Sequence, residues 1–420
     1  MEVIAIIVFV VVIGLIISEK VNSAAAALAG AMALVVTGVM SAHRALSYID
    51  FNTIGLLVGM MVLVAIIRQS GLFEYVAIKA AKMVHGDPWK IMIAFILLTA
   101  VLSGILDNVT TVLLVGPMTI AIAKMLEINP VPFLMTQILA SNAGGTATLI
   151  GDPPNIMIGS AANLSFMDFL KNTGIAVVLV IIFMIVMMHF VYKKEIEVEG
   201  LDTSKIMNLD PDKSITDKPL LIKGVVVIVL VILGFIFHDQ IGMETSVIAL
   251  TAAAVMLIIG GVNVDNAIQD VEWTTIAFFM ALFVVVGGLT ETGVIKQVAA
   301  VIIERTAGHP VMMMLILLWA SALLSSFLNN IPFIATLIPL VLALKADGMD
   351  AEPLWWAISL GACLGGNGTM IGASANVVLS DISTKHGYPI TFKSYLRVGM
   401  PFMLGSVFIS MVFLLVKYAI

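Results

Sequence analysis

Long apolar runs follow one another along the chain with only short polar breaks. They lie at 2–18, 23–41, 52–69, 89–106, 108–126, 133–165, 172–192, 220–238, 244–262, 273–290, 311–328, 330–346, 354–380 and 398–417. About 20 apolar residues in helix cross a hydrocarbon layer of roughly 30 Å. The runs therefore predict membrane helices. They are continuous rather than alternating, which argues against strands. Two of them, 133–165 and 354–380, are interrupted by Gly, Pro and Asn. Leu72–His85 and Val294–Ala307 are amphipathic and carry Lys79, Lys82, Lys296 and Arg305. These two predict helices lying in the interface. Lys193–Lys218 is the one long polar stretch and predicts a solvated linker.

The second half repeats the first. At an offset of 222, Thr53-Ile54 matches Thr275-Ile276, Gly71 matches Gly293, and Gly86 and Pro88 match Gly308 and Pro310. Leu102-Ser103, Leu106, Asn108 and Pro117 match Leu324-Ser325, Leu328, Asn330 and Pro339 in the same register. After one deletion the offset is 221, and Gly144-Gly145, Thr148, Ile150-Gly151 and Asn155 match Gly365-Gly366, Thr369, Ile371-Gly372 and Asn376. Rare residues in register point to an internal repeat. Each half holds seven apolar pieces. If the fourth and fifth form a re-entrant hairpin, five crossings remain. Either number is odd, so the second half is expected upside down relative to the first. The expected fold is an all-α polytopic membrane protein of two inverted repeats. Each repeat has five transmembrane helices, a re-entrant helical hairpin and a discontinuous helix. Residues 1–192 form the first repeat (hairpin 89–126, broken span 133–165), 193–219 the linker, and 220–420 the second repeat (hairpin 311–346, broken span 354–380).

Composition agrees with a membrane chain. Of 420 residues 60% are apolar and 11% charged, where soluble proteins carry about 25% charged. Mean hydropathy is +1.11. A formal net charge of −6 argues against a nucleic-acid binder. The single cysteine, Cys363, excludes a disulfide framework and a thiolate metal cluster and reads as a small packing residue. The first run, Val3–Ile17, has no basic flank before it and no small-residue cleavage site before Glu19-Lys20, so it reads as a span rather than a cleaved leader. With both termini outside, fifteen basic residues face inward, against six outward. Basic residues favour the cytoplasmic side. That arrangement predicts a multi-pass cell-membrane protein with a cytoplasmic linker.

Polar residues inside the runs carry the candidate chemistry. Ser103-Gly104-Ile105-Leu106-Asp107-Asn108-Val109-Thr110-Thr111 is paired by the repeat with Ser325-Ser326-Phe327-Leu328-Asn329-Asn330-Ile331-Pro332. Each joins two apolar arms, as a hairpin tip would. Ser141-Asn142-Ala143-Gly144-Gly145-Thr146-Ala147-Thr148, running on to Asp152-Pro153-Pro154-Asn155, is paired with Gly361–Asn376, which contains Gly365, Gly366, Asn367 and Thr369. Adjacent glycines allow backbone angles that a helix forbids, and prolines remove donors. Broken helices in matching positions of two halves mark the binding site of secondary transporters. An Asp at a helix centre costs roughly 2.5–3.5 kcal/mol on insertion scales. Asp107 and Asp152 are therefore candidates for binding an ion or proton, set against a plain helix-capping role. Their mates are neutral, Asn329 and Ala373. Asp50 and Glu272 correspond at the starts of matched spans and read as interfacial caps. The six His lie at span ends or in loops, away from any metal-ligand spacing.

Asp107-Asn108-Val109-Thr110-Thr111, Gly144–Thr148, Ile150–Asn155, Asn329–Phe333 and Gly365–Asn376 resemble the arsenite permease/P-protein branch of the ion transporter superfamily, nearest to its P-protein members. Sodium–proton antiporters and citrate-like carboxylate carriers are more distant relatives. The resemblance spans nearly the whole chain outside the linker. It implies an elevator-type carrier, commonly a homodimer in the bilayer, with H⁺ or Na⁺ as coupling ion and no other cofactor. Some arsenite permeases associate with a soluble ATPase, a partner that the resemblance also allows. By position it implies ion or substrate contacts at Asn108, Thr110, Gly145, Thr148, Asn155, Asn330, Pro332, Asn367, Thr369 and Asn376, with Na⁺ at Asn108, Thr148, Asn330 and Thr369. One acidic residue that the family often has in the second hairpin is Asn329 here.

The expected function is secondary transport of a small inorganic oxyacid or anion, arsenite- or antimonite-like, coupled to H⁺ or Na⁺. A Na⁺/H⁺ antiporter or a Na⁺-coupled di- or tricarboxylate carrier is the alternative, and an anion channel a remote one. No Arg lies in the polar breaks, which disfavours a guanidinium clamp for a di-anion. An intramembrane enzyme is not expected. His-Glu-x-x-His is absent, and Leu149 stands where a Gly-x-Gly-Asp motif needs Gly.

Overall fold

The computed structural model describes residues 1–18, 20–196, 201–306 and 309–419. Glu19, which marks the end of the first run, residues 197–200 of the linker, Ala307 of the second amphipathic piece and the repeat match Gly308 lie outside the described residues. Among the described residues the regular structure is helical throughout. The first half comprises α1 (Glu2–Ser18), α2 (Ser23–Val36), α3 (Phe51–Arg68), α4 (Leu72–Met83), α5 (Pro88–Ile105), α6 (Asn108–Met125), α7 (Val131–Thr146), α8 (Pro153–Ala162) and α9 (Phe166–Ile196). The second half has the same order: α10 (Lys218–Ile241), α11 (Thr245–Ile259), α12 (Trp273–Glu291), α13 (Val294–Thr306), α14 (Pro310–Phe327), α15 (Asn330–Ala346), α16 (Glu352–Gly365), α17 (Ser374–Lys385) and α18 (Phe392–Tyr418). Each helix thus has a mate nine places on. Eight helices among the described residues are long and apolar enough to cross a membrane.

Local sequence fixes the breaks. Asp50 accepts the amides of Asn52 and Thr53 and so starts α3. Asp87 accepts the Lys90 amide ahead of α5, whose first residue is Pro88. At the hairpin turns Leu106 and Leu328 are extended, ending α5 and α14. Asp107 and Asn329 then cap the returning arms α6 and α15.

Packing crosses between the halves. α3 packs on α11 and α12 on α2; α6 packs on α17 and α15 on α8. The ends of the mates α3 and α12 are tied crosswise. Tyr48, just before α3, donates its hydroxyl to Glu291 at the end of α12 at 2.6 Å, and Arg44 joins the same carboxylate at 2.9 Å. Arg68, ending α3, pairs with Asp270, just before α12, at 3.0 Å. These two helices therefore run in opposite directions.

Adjacent glycines act here by closeness rather than by unusual angles. Gly144, Gly145 and Gly365 lie inside the helices α7 and α16, and neither pair is among the positive-φ glycines. A Cβ on Gly144 would stand 2.2 Å from the Ala100 carbonyl oxygen of α5, and one on Gly365 would stand 2.6 Å from that of Ala322 on α14. Each hairpin thus presses backbone to backbone on the broken span beside it.

The linker docks rather than floats. Ile196 and Ile206 are buried. Thr216 donates its amide to the Ser70 carbonyl at 3.1 Å, and Lys82 on α4 reaches the Leu209 carbonyl at 2.5 Å. Lys205 binds Glu127, at the foot of the first hairpin, at 2.7 Å and holds that carboxyl below its usual range. Gly71 has φ +80°, and a Cβ there would stand 1.9 Å from the Ser214 carbonyl oxygen.

Candidate functional site

The two hairpin turns and the two helix breaks meet in one buried cluster. Within each half the breaks are built alike. Asn155 donates its amide to the carbonyls of Gly145 (3.4 Å), Thr146 (3.1 Å) and Thr148 (2.9 Å). Its mate Asn376 donates to those of Gly366 (2.7 Å) and Thr369 (2.9 Å). The Thr148 hydroxyl binds the Gly104 carbonyl at 2.6 Å, and Thr369 binds that of Ser326. Ser103 binds the Ser141 carbonyl at 2.6 Å, and its mate Ser325 that of Ala362 at 2.7 Å. Each asparagine closes a loop of freed carbonyls, and each serine or threonine ties that loop to the neighbouring hairpin.

Between the halves Asn142 is the hub. It donates to the side-chain oxygens of Asn367 (2.9 Å) and Asn376 (2.8 Å) and accepts from Asn108 at 3.3 Å. Its mate by the repeat is Cys363, whose thiol lies 3.5 Å from the Asn155 side-chain oxygen, which also accepts from Ser359 at 2.7 Å. So Cys363 occupies one of two matched hub positions rather than a packing niche alone. The 221-residue offset pairs it with Asn142 in the sequence itself.

The two acids differ. Asp107 is half-buried and caps α6, accepting the Thr110 amide at 2.8 Å and the Thr110 hydroxyl. Asp152 is 2% exposed and makes no capping bond. Its carboxylate meets Asn330 from the opposite hairpin at 3.4 and 3.5 Å, and Asn108 and Cys363 also approach it. A buried carboxylate held only by amides and a thiol lacks the positive partner that would settle its charge.

A cavity of about 160 Å³ opens beside it, lined by Asp107, Asn108, Asp152, Glu272, Thr275 and Asn330, with the apolar Leu57 and Met61 of α3. No Lys or Arg lines it. Glu272 makes no capping bond to α12. It accepts the Thr275 hydroxyl at 2.9 Å and adds a third carboxylate to the cavity. Its mate Asp50 does cap α3, as the sequence indicates. An Asp or Glu ahead of a span reads as a cap in either case, so nothing in the chain singled Glu272 out.

Other expected site residues spread around this centre. Gly144, Gly145, Gly365 and Gly366 shape the crossings; a Cβ on Gly145 would stand 2.2 Å from the Asn108 side-chain oxygen. The Thr146 hydroxyl turns back onto the Asn142 carbonyl at 2.7 Å. Thr111 and Asn367 are buried, and each has a polar atom with no hydrogen-bond partner among the described residues, Thr111 Oγ1 and Asn367 Nδ2. Asn329 and Pro332 line a mostly apolar cavity against α1 that adjoins the acid cavity through Ala373, Ser374 and Val378. No group of three or more His, Cys, Asp or Glu among the described residues is arranged to hold a metal ion.

The family model described as "Citrate transporter" matches residues 13–361. The chain belongs to the citrate transporter family. A protein of Mycobacterium bovis named as an uncharacterized transporter is 41% identical over all of this chain and 99% of its own length. The P protein of Mus musculus is 35% identical, with 97% of this chain aligned to 59% of that protein. Among solved structures the YdaH transporter of Alcanivorax borkumensis, described as having an unusual topology, superposes with a TM-score of 0.63 at 15% identity, covering 92% of this chain and 87% of that one. Within the citrate transporter family this chain is a multi-pass membrane protein and a secondary transporter of the P-protein type.

Proposed function

We propose that the cavity between the hairpin turns binds and releases a small neutral or weakly acidic oxyacid, coupled to H⁺ or Na⁺ at Asp152, by an elevator movement of two inverted repeats. The acid cavity carries this reading: three carboxylates, two amides and no basic side chain. Such a lining attracts protons and cations and repels a bare multiply charged anion. A carboxylate cargo, which the family description favours, would need cations bound beside it. Antiparallel α3 and α12 support the inverted repeat.

Asymmetry supports the elevator. Glu272 and Met61 share their cavity with the tip of the first hairpin, Asp107 to Val109. Their mates Asp50 and Phe283 share one with the body of the second hairpin, Ala335 to Ala343. At 1.5 Å per residue, the hairpins sit on the order of 10 Å apart in height relative to matched scaffold surfaces. Swapping the roles of the halves generates the opposite state. Glu272 lies two residues from Asp270, which binds Arg68, and the linker docks on the adjoining Gln69 and Ser70. The state described here therefore opens toward the linker side, the cytoplasm in this proposal.

The test is flux in proteoliposomes, with arsenite, silicic acid, citrate and succinate each offered under an imposed H⁺ or Na⁺ gradient. One cargo is expected to move with one gradient in the wild type and to lose its gradient dependence in Asp152→Asn. Gradient-driven uptake by Asp152→Asn at the wild-type rate would remove Asp152 from coupling.

A further inference from the structure

Below the site, three helices pack against one another with polar faces turned inward. On α6, Asn108, Thr111 and Thr119 lie within one helical face, at spacings of three and eight residues. On α17, Asn376, Ser380 and Ser383 do the same. From α7, Gln137 donates to Thr119 at 2.7 Å. α6, α7 and α17 contact one another pairwise, and Leu379 of α17 lies over Gly116 of α6. Thr111, Thr119, Gln137, Ser380 and Ser383 are all at most 5% exposed. Three of their polar atoms have no hydrogen-bond partner among the described residues: Thr111 Oγ1, Gln137 Oε1 and Ser380 Oγ.

Packing alone does not ask for this polarity. The mates of these residues on α15, α16 and α8 are Phe333 for Thr111, Val341 for Thr119, Ile358 for Gln137, Gly159 for Ser380 and Ala162 for Ser383. The same three-helix contact is thus made with apolar side chains in the other half. A buried polar group without a partner is costly, and such groups in a row are the surroundings in which ordered water bridges a protein interior.

We infer that α6, α7 and α17 enclose an internal hydrated path, separate from the acid cavity, which carries protons between the Asn108–Asn142–Asn376 cluster beside Asp152 and the membrane face at Lys124 and Tyr388. At its upper end Asn108 approaches Asp152. At its lower end Lys124 lies over the Tyr388 ring at 5.7 Å, and Ser383 donates to the Tyr388 carbonyl. No carboxylate interrupts the seam, so the proton moves along water and hydroxyl groups, each accepting one proton and passing on another. The path serves one half only. A carrier with such a path loads its proton site from one side without passing the cargo cavity. The inference rests on the H⁺ form of the proposed coupling.

Two measurements on the whole reconstituted protein test it. An experimental density map fine enough to show ordered solvent should place water within hydrogen-bonding distance of Thr111 Oγ1, Gln137 Oε1 and Ser380 Oγ. A dry seam, with these groups turned onto protein partners, would overturn the path. In proteoliposomes carrying a pH dye, Ser380→Ala and, separately, Gln137→Leu should slow pH-gradient-driven exchange about tenfold or more, as losing part of a proton relay does, while the KM for cargo stays as in the wild type. Wild-type rates in a folded Ser380→Ala would also overturn it. A wild type that moves no protons at all would instead sink the H⁺ coupling on which the path's role rests.

Discussion

Asp107 caps its helix and Asp152 does not, so at Asp107 a substitution can separate capping from transport. Asn caps a helix about as well as Asp, so Asp107→Asn should keep the Thr110 bond and the wild-type melting temperature while abolishing coupled flux in vesicles. Undiminished flux would take Asp107 out of the mechanism. The glycines give a sharper structural prediction. A methyl on Gly144 would run into the Ala100 backbone, which cannot move aside as a flexible side chain can. Gly144→Ala should destabilise by about 1–3 kcal/mol, the usual range for overpacking, whereas Gly14→Ala, inside α1 with nothing within 4 Å of the added carbon, should not lower the unfolding temperature, since Ala suits a helix interior better than Gly. The chain announced that Gly144 and Gly365 matter, but as points of unusual backbone. Crossing distance between α5 and α7 depends on their tertiary approach, which no local pattern encodes. The bond from Asn330 to Asp152 was equally hidden, because its partners lie 178 residues apart.

At the scale of elements, nearly every helix was legible, because hydrocarbon thickness sets a minimum apolar length and the repeat supplies each boundary twice. The linker was not. Its composition reads as solvated, yet Ile206 anchors it, and the few apolar residues around it, Leu201, Met207 and Leu209, are interleaved with polar ones and show no sustained periodic face. Truncating a buried Ile costs about 2–5 kcal/mol. Ile206→Ala should therefore release the strap, seen as faster tryptic cutting at Lys205 and Lys213, with the membrane helices still protected. Lys205→Ala should change cutting at Lys213 far less. Its pair with Glu127 is solvent-exposed, at 48% and 78% of the two side chains, and such pairs contribute about 0–1 kcal/mol. Equal cutting in the two variants would mean that the ion pair, not the apolar anchor, holds the linker down.

For the whole molecule, the 222-residue repeat predicted a twofold architecture, and α3 against α12 shows the opposed directions of one matched pair. What the repeat could not reveal is where the hairpins stand along their travel, because both positions use the same residues and differ only in which scaffold surface faces which turn. The deciding measurement is disulfide cross-linking in native membranes with two cysteine pairs that spare the acids, one at Met61 and Val109, which line one cavity here, and one at their mates Phe283 and Ile331. The lone native thiol, Cys363, is fully buried and leaves the background low. The first pair should close in the state described here. The second should close only under an opposing ion gradient or with cargo on the far side, and each cross-link should stop transport until it is reduced. Transport at full rate with either pair locked, or a Phe283–Ile331 pair that never closes under any gradient, would contradict the movement of the site between two matched positions.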